Sequence, residues 1–253
     1  MAPLGLITTI EEKLELVAAM GVDQALVIHF DHGLSQMTAA DFVQIVLKGR
    51  VGMRRIVVGF NHGFGRHRTG DRETLIAMSK NLNFTVDVVN PTHVGDAIVS
   101  STRIRRLLAD GKVTDVAETL GRYHSVKGVV VRGFGRGKRL HWPTANLGLI
   151  APGKLCPLDG TYAGLANLQG ETHPAAISMG FNPTFTEAKH SVEAHLIGFD
   201  RDIYDEEMEI EFVERIRGEK KFSGEAELSA QIANDVQAAS QILKMRGLVR
   251  QIP

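Results

Sequence analysis

Hydrophobic positions in the first half of the chain follow two alternating patterns. Apolar side chains recur at helical intervals within residues 9–20, 38–49, 71–81, 101–109 and 113–120. Short apolar runs rich in β-branched residues lie between the first four of these helices, at 23–30, 55–60 and 84–89, and these runs predict strands. Because strands that alternate with helices form parallel βαβ units, this half predicts a Rossmann-like sheet with 55–60 as a buried strand.

The second half changes to a pattern of short strands separated by turns rich in Gly, Pro and Asp. The predicted strands are residues 126–132, 162–168, 174–179, 192–199 and 208–215. This spacing is typical of a small antiparallel barrel. A final helix at 224–245 carries Leu228, Ile232, Val236, Ile242 and Leu243 near one face. We therefore predict an α/β domain over residues 1–122, followed by a β-barrel domain with a C-terminal helix over 123–253.

Composition narrows the class of protein without identifying it. The chain is 43% hydrophobic and 23% charged, as in ordinary globular proteins, and 29 basic residues balance 29 acidic ones. This balance gives no argument for a nucleic-acid or membrane partner. Cys156 is the single cysteine, which excludes an internal disulfide and favours a reducing compartment. We expect a cytoplasmic protein, and the sequence leaves its oligomeric state open.

A glycine-rich basic segment followed by Pro143 carries the clearest candidate chemistry. Glycines allow backbone amides to approach a polyphosphate, and the residues assigned to nucleotide binding are Gly133, Gly135, Gly137, Lys138, Pro143 and Thr144. Thr144 and Asn146 lie two residues apart, so an extended backbone places both oxygen-bearing side chains on one face, as would suit Mg²⁺ bound to a nucleotide. The segment is not a Walker P-loop, because Lys138 is followed by arginine and no long helical run follows.

These residues, with four further segments in the same order, resemble riboflavin kinase, which phosphorylates riboflavin to FMN. The further segments are residues 159–163, 178–185, 192–200 and 217–222. The resemblance implies ATP as the phosphoryl donor, Mg²⁺ held by Thr144 and Asn146, and Glu193 as the general base. It also places Arg217 and Phe222 in the segment that closes on the flavin.

Each of these residues also has a purely structural interpretation. Thr144 and Asn146 could form a turn after the proline, and Glu193 could be a solvated residue on the outer face of a strand. Arg217 could be an exposed charge and Phe222 a packing aromatic. The glycine-rich segment could be a flexible hairpin tip, and His195 is expected to be a structural or surface histidine. His141 and Trp142 stand where the family usually has Gly and Phe, a difference that bears on nucleotide affinity.

The first half resembles the FMN adenylyltransferase domain that precedes riboflavin kinase in the bacterial bifunctional enzyme. The similar segments are residues 58–70 and 99–105, and the residues implied in a remaining adenylyltransferase site are Asn61, Phe64, Gly65, Ser101, Thr102 and Arg105. The family's opening strand and its histidine-containing turn have no counterpart in the printed sequence. The expectation is that the chain begins after the first βα unit, either through truncation or as a genuinely short protein, and that it does not form FAD. Two alternatives stay open: a bifunctional enzyme, and a flavin- or nucleotide-binding regulator without turnover.

Overall fold

A computed structural model describes residues 5–133, 140–181 and 190–249. Within them the chain forms two compact units. One unit is Val17–Ile98, and the other combines the residues up to Leu16 with those from Val99 onward. These units differ from the two domains predicted with a boundary at residue 122. That domain boundary stays a proposal.

The unit Val17–Ile98 contains a small parallel sheet flanked by helices. Strand β1 (Arg55–Gly59) pairs in parallel with β2 (Thr85–Val89), with Val58 opposite Val88. Its helices are the C-terminal part of α1 (Ile10–Ala19), α2 (His32–Gln36), α3 (Ala39–Asp41) and α4 (Arg72–Leu82). Helix α3 continues directly as a π-helix over Phe42–Arg50. A short hairpin of β3 (His93–Val94) and β4 (Ala97–Ile98) closes the unit. The core beneath the sheet is built around Val43, Val58, Leu75 and Phe84.

Two sequence predictions for this unit are wrong. Residues 23–30 form no strand, because in the part of the chain that the structure describes their backbone pairs with neither β1 nor β2. The apolar side chains of this segment therefore stay in solvent, and Phe30 is 74% exposed. The strand predicted as buried at 55–60 is buried only at Val58, whereas Val57 is 59% exposed. A parallel sheet normally has both faces covered, and this two-stranded sheet has only one face packed.

The second unit is dominated by a closed antiparallel barrel. Its strands are β5 (His124–Val131), β6 (Ala145–Gly148), β7 (Gly160–Leu168), β8 (Glu171–Phe181), β9 (His190–Leu196) and β10 (Glu207–Arg217). Around the barrel the order is β10-β5-β6-β9-β8-β7, and every neighbouring pair is antiparallel. The prediction of a small antiparallel barrel is confirmed. The short strand β6, which carries Asn146, was foreseen only as an extended segment.

Alternation along the strands separates the barrel interior from its outer face. Tyr162, Ile177 and Phe212 fill the interior and are fully buried, with the Tyr162 and Phe212 rings packed edge to face at 5.4 Å. Helices α5 (Ser101–Ala109) and α6 (Val113–Leu120) follow the predicted bounds and form a separate cluster with Ile7. The N-terminus of α1 is capped, because the Thr9 and Glu12 side chains each accept a hydrogen bond from the other's backbone N–H.

The C-terminal helix α7 (Glu225–Met245) covers part of the outer face of the barrel. Its predicted apolar stripe divides into two parts with different surroundings. Val236, Ile242 and Leu243 pack with outward-facing residues of the strands, whereas Leu228 and Ile232 line a cavity. The helix thus forms one wall of a cleft. No helix among the described residues is both long enough and apolar enough to span a bilayer.

We expect the two units to differ in local stability. Eighteen residues are buried in the main barrel cluster and four in the cluster of unit Val17–Ile98. Since local opening is easier where fewer apolar contacts must break, amides of Thr85–Val89 should exchange faster than those of Gly160–Leu168. Native-state hydrogen exchange followed by mass spectrometry measures both segments at once. Equal protection in the two strands would contradict this expectation.

A buried histidine predicts loss of stability in mild acid. The His124 ring is fully buried, its Nε2 lies 2.8 Å from the Leu155 carbonyl oxygen, and burial lowers its pKa from 6.5 to about 4. In the unfolded chain this ring takes up a proton below pH 6.5, so stability falls as the pH drops from 6.5 towards 4. Between pH 7 and pH 5 the loss should be about 2 kcal/mol.

Urea unfolding of the wild type and of His124→Gln at both pH values measures this effect. The variant keeps a side-chain N–H but cannot titrate, so its difference between pH 7 and pH 5 should be smaller by about 2 kcal/mol. His93→Gln, on the exposed hairpin, is the matched control and should behave like the wild type. An unchanged pH dependence in His124→Gln would assign the acid sensitivity to other groups.

Candidate active site

Register places a row of polar residues across five neighbouring strands of the barrel. Asn146 on β6 lies opposite Glu193 on β9, and Glu193 lies opposite Ser178 on β8. Ser178 in turn pairs with Thr161 on β7, which pairs with Arg217 on β10. Directly opposite residues in an antiparallel pair point to the same side of a sheet. On β6, β8 and β9 the residues before and after the polar ones, such as Ile177 and Ala194, belong to the interior cluster, so this polar row lies on the outer face.

Thr144 and Glu193, predicted from separate segments, are in direct contact. The Thr144 hydroxyl donates to Glu193 Oε2 at 3.2 Å. Because the hydroxyl hydrogen is directed at the carboxylate, the lone pairs of Thr144 Oγ1 are left for another partner. Asn146 stands beside Glu193 in register, and a Cβ on Gly133 would come within 2.3 Å of the Asn146 amide nitrogen. Gly133 therefore gives the Asn146 side chain the space it occupies.

A cavity of about 360 Å³ lies between the polar row and α7. Glu193, Ser178, Thr161 and Arg217 line it on the barrel side. The opposite side is formed by Leu140, Phe222, Leu228, Ile232 and Asp235. Glu193 is half-buried here and not fully exposed, whereas its role stays a prediction. The cavity combines apolar walls with a polar floor, as is usual for small-molecule sites.

A second cavity, of about 220 Å³, shares Thr144 with the first as a lining residue. Ala194 and Leu196, which point into the barrel, line it together with Asp202 and Tyr204 from the loop after β9. On β9 the alternate residues Glu193 and His195 line the first cavity. Thr144 is thus placed at the junction of two cavities that lie on different sides of β9.

His195 fixes the segment that carries Thr144. Its Nδ1 lies 2.8 Å from the Pro143 carbonyl oxygen, and the edge of the Trp142 ring packs against its imidazole at 5.3 Å. The Trp142 indole N–H donates to Ser229 Oγ on α7 at 3.3 Å. His195 thus makes a structural contact, and this contact is with the candidate site itself. No pattern in the sequence indicated it, because it depends on β6 and β9 being neighbours.

His141 shows why a glycine would be favoured at its position. Its φ of 61° lies in the left-handed region, which glycine adopts without steric penalty. A residue with a Cβ is disfavoured there by roughly 1 kcal/mol. The segment therefore adopts its turn with His141 in place of Gly at a cost in local backbone energy, and the effect on nucleotide affinity stays a prediction.

Of the other predicted kinase residues, some lie outside the described part of the chain and others line the first cavity. Gly135, Gly137 and Lys138 lie outside the described residues, as does much of the segment 178–185. Arg217 and Phe222 both line the cavity below α7, with the Arg217 guanidinium carbon 5.9 Å from the centre of the Phe222 ring. Their role towards a flavin stays a prediction.

The oxygen-bearing side chains at this site suit a cation that arrives with a nucleotide. Among the described residues, no group of three or more His, Cys, Asp and Glu side chains is arranged to hold a metal ion by itself. Thr144, Asn146 and Glu193 instead offer a few hard oxygen atoms in one place. Mg²⁺ is commonly bound by one or two protein oxygens plus substrate phosphates and water, so this donor set fits it.

The residues implied in a remaining adenylyltransferase site fall into the two different units. Asn61 is exposed, whereas Phe64 and Gly65 line an apolar cavity of about 440 Å³ within Val17–Ile98, where the Phe64 ring stacks on His62 at 5.6 Å. In the other unit, Ser101 and Thr102 are exposed in the first turn of α5.

Arg105 of the same helix has a structural contact, since its Nε donates to the Gly5 carbonyl oxygen at 2.9 Å. Nucleotide binding by the residues implied in the adenylyltransferase site stays a prediction.

Comparison with known proteins assigns a family to both halves of the chain. Residues 120–243 match the riboflavin kinase family and residues 1–103 match the FAD synthetase family. A protein of Listeria monocytogenes named bifunctional riboflavin kinase/FMN adenylyltransferase is 33% identical over 91% of this chain and 73% of its own length. The proteins of that name from Bacillus subtilis and Escherichia coli K12 are 31% and 30% identical, over 94% and 90% of this chain and 75% and 73% of their own lengths.

A solved structure agrees with the fold. A crystal structure from Streptococcus pneumoniae, titled as a macrolide-efflux protein, matches 92% of this chain and 75% of its own length with a TM-score of 0.84 and 29% identity. That title describes a different activity, whereas both family matches and the named relatives agree with one another. The chain therefore belongs to the family of bifunctional riboflavin kinase/FMN adenylyltransferases.

Proposed function

We propose that this protein transfers the γ-phosphoryl group of ATP to the 5′-hydroxyl of riboflavin, forming FMN and ADP. The observation that carries the proposal is the contact between Thr144 and Glu193 at the junction of two cavities. Phosphoryl transfer needs two substrates brought end to end and charge neutralised between them. Two cavities that share the Thr144 hydroxyl, with the Glu193 carboxylate in contact with it in the larger one, suit that requirement.

The two cavities differ in the side chains that line them, and from this difference we assign a substrate to each. The larger one has an apolar wall from α7 and an aromatic side chain, Phe222, and it accommodates the flavin. The smaller one is lined by Thr144 and Tyr204 and accommodates the nucleotide. Riboflavin then lies with its ring towards Arg217 and its ribityl chain along the polar row. This orientation brings the 5′-hydroxyl to Glu193.

In this arrangement Glu193 is the general base. Its carboxylate takes the proton of the 5′-hydroxyl while the new O–P bond forms and the bond from the γ-phosphorus to the bridging oxygen of ADP breaks. Thr144 and Asn146 would hold Mg²⁺ against the phosphates, and this ion supplies charge neutralisation when bound. The glycine-rich segment that contains Gly135, Gly137 and Lys138 would cover the nucleotide.

Adenylylation of FMN to FAD is a second candidate function, favoured by the match of residues 1–103 to the FAD synthetase family. The apolar cavity that includes Phe64 supports flavin contact in this unit. The expectation that the printed 253 residues do not form FAD stays a prediction. Chromatography of a reaction with FMN, ATP and Mg²⁺ tests it, and robust FAD formation would contradict it.

We also propose that the protein acts in the cytoplasm. The support is that Cys156 is the single cysteine, so the chain has no internal disulfide, as is usual for proteins of a reducing compartment.

A regulator that binds riboflavin without turnover is the competing class of function. Isothermal titration of riboflavin, run beside a turnover assay with ATP and Mg²⁺, separates the two. The enzyme predicts both riboflavin binding and FMN formation. Binding without any FMN, in folded protein and with Mg²⁺, Mn²⁺ and Zn²⁺ each tried, would support the regulator and contradict the kinase.

A further inference from the structure

A charged pair in the cavity below α7 points to a positioning role. The Arg217 guanidinium contacts the Asp235 carboxylate side-on, with Nε 3.0 Å from Oδ1 and Nη2 2.7 Å from Oδ2. Gln231, one turn earlier on α7, donates to the same Oδ1 at 2.9 Å. The Arg217 Nη1 donates to the Gly218 carbonyl oxygen at 2.9 Å. Three acceptor atoms, the two Asp235 carboxylate oxygens and the Gly218 carbonyl oxygen, therefore fix the plane of the guanidinium, and Gln231 holds the carboxylate in turn.

The burial of this pair differs from that of an ordinary surface ion pair. The Asp235 side chain is 6% exposed and the Arg217 side chain 25% exposed. Taking a carboxylate out of water is unfavourable unless it is paired, and a pair of apolar residues would often give equal or greater stability. Stability alone therefore does not account for a charged pair at this place. Both residues line the cavity assigned to riboflavin, so the guanidinium is available to a ligand there.

The position of Arg217 in the polar row indicates which end of the ligand it contacts. Glu193 and Arg217 are separated by three strand spacings, which corresponds to about 14 Å along the sheet. Arg217 is therefore too distant to touch the phosphoryl group that reacts near Glu193. Its partner in the ligand is the polar edge of the flavin ring, which carries carbonyl oxygens.

We propose that Asp235 is a positioning residue that orients the Arg217 guanidinium for recognition of the riboflavin ring. This inference rests on the proposed kinase function and adds to it a determinant of riboflavin affinity on α7. Since the pair acts at the ring and not at the reacting hydroxyl, its loss should appear in KM and in the riboflavin Kd, with kcat nearly preserved.

The first test is Asp235→Asn, which keeps the shape of the side chain and removes its charge. We expect the KM and Kd for riboflavin to rise about tenfold or more, with kcat within about threefold of the wild type. Glu214→Gln is the matched control. Glu214 also links β10 to the end of α7, through the residue after the helix, Arg246, whose Nε lies 3.0 Å from Oε2, but Glu214 lies outside the cavity. This control should leave the KM, the Kd and kcat unchanged.

A double variant separates positioning from a merely structural role, and it decides the question if Asp235→Asn fails to fold. Arg217→Met with Asp235→Leu replaces the pair by apolar residues and should restore the melting temperature. We expect its riboflavin Kd to stay as weak as that of Asp235→Asn. A double variant with wild-type Kd, or an Asp235→Asn variant whose Kd stays within twofold of wild type, would overturn the inference. A wild-type protein that binds riboflavin but forms no FMN would contradict the kinase function and leave the Kd test of Asp235 intact.

Discussion

Glu193→Gln should lower kcat for FMN formation by roughly 10²- to 10⁴-fold, the usual contribution of a general base. Glutamine has the size of glutamate and keeps an oxygen that can accept the Thr144 hydroxyl, so the contact at 3.2 Å has no reason to break. What the variant loses is the ability to take a proton from the 5′-hydroxyl. Binding of ATP and riboflavin should therefore change little while turnover collapses.

Steady-state kinetics combined with titration of both substrates measures this separation. Glu211→Gln provides a matched control, because Glu211 is another half-buried carboxylate on a barrel strand and does not line the site. Burial raises the pKa of Glu211, so a neutral isostere there is well tolerated. If Glu193→Gln keeps a near wild-type kcat, the carboxylate is not the base and the proposed mechanism is wrong.

Thr144→Val should weaken the binding of Mg-ATP and reduce turnover as well. The variant keeps the branched shape at the junction of the two cavities and removes only the hydroxyl. A hydrogen-bonding or ligand contact to a charged group contributes about 1.5–3 kcal/mol, which corresponds to roughly 10- to 100-fold in affinity. Unlike the Glu193 variant, this one should therefore change the KM for ATP.

Thr144→Ser is the control for this prediction, since it restores the hydroxyl without the methyl group. It should bring the KM for ATP back to within a few-fold of the wild type. Measuring the KM for ATP at several Mg²⁺ concentrations shows whether the metal is involved, because the loss in Thr144→Val should be partly offset by high Mg²⁺. An unchanged KM in Thr144→Val would limit Thr144 to a contact with Glu193.

Local pattern was sufficient to predict most of the elements of this fold. The capping pair Thr9 and Glu12, the helices α5 and α6 and the strands of the barrel follow from spacing along the chain. The failure at residues 23–30 has a physical cause. Apolar side chains make this segment suitable for a strand, but a strand also needs a backbone partner, which pattern within one segment does not specify.

The candidate site was predicted as a set of residues but not as an arrangement. Thr144 and Glu193 are 49 positions apart in the chain, and their contact depends on β6 lying beside β9 in one register. A shift of one residue would move Glu193 into the barrel interior. Asp235 gave no signal at all in the sequence, since an acidic residue on an amphipathic helix is usually solvated. Only the packing of α7 on the barrel shows that it is buried beside Arg217.

The central claim is that this cleft transfers phosphoryl groups to riboflavin. The most direct measurement incubates the purified protein with riboflavin, Mg²⁺ and ATP labelled at the γ-phosphate, and follows the label by chromatography. The account predicts that the label appears in FMN, at a rate at least about 10²-fold higher for the wild type than for Glu193→Gln. Folded wild-type protein that binds both substrates but transfers no label to riboflavin would contradict it.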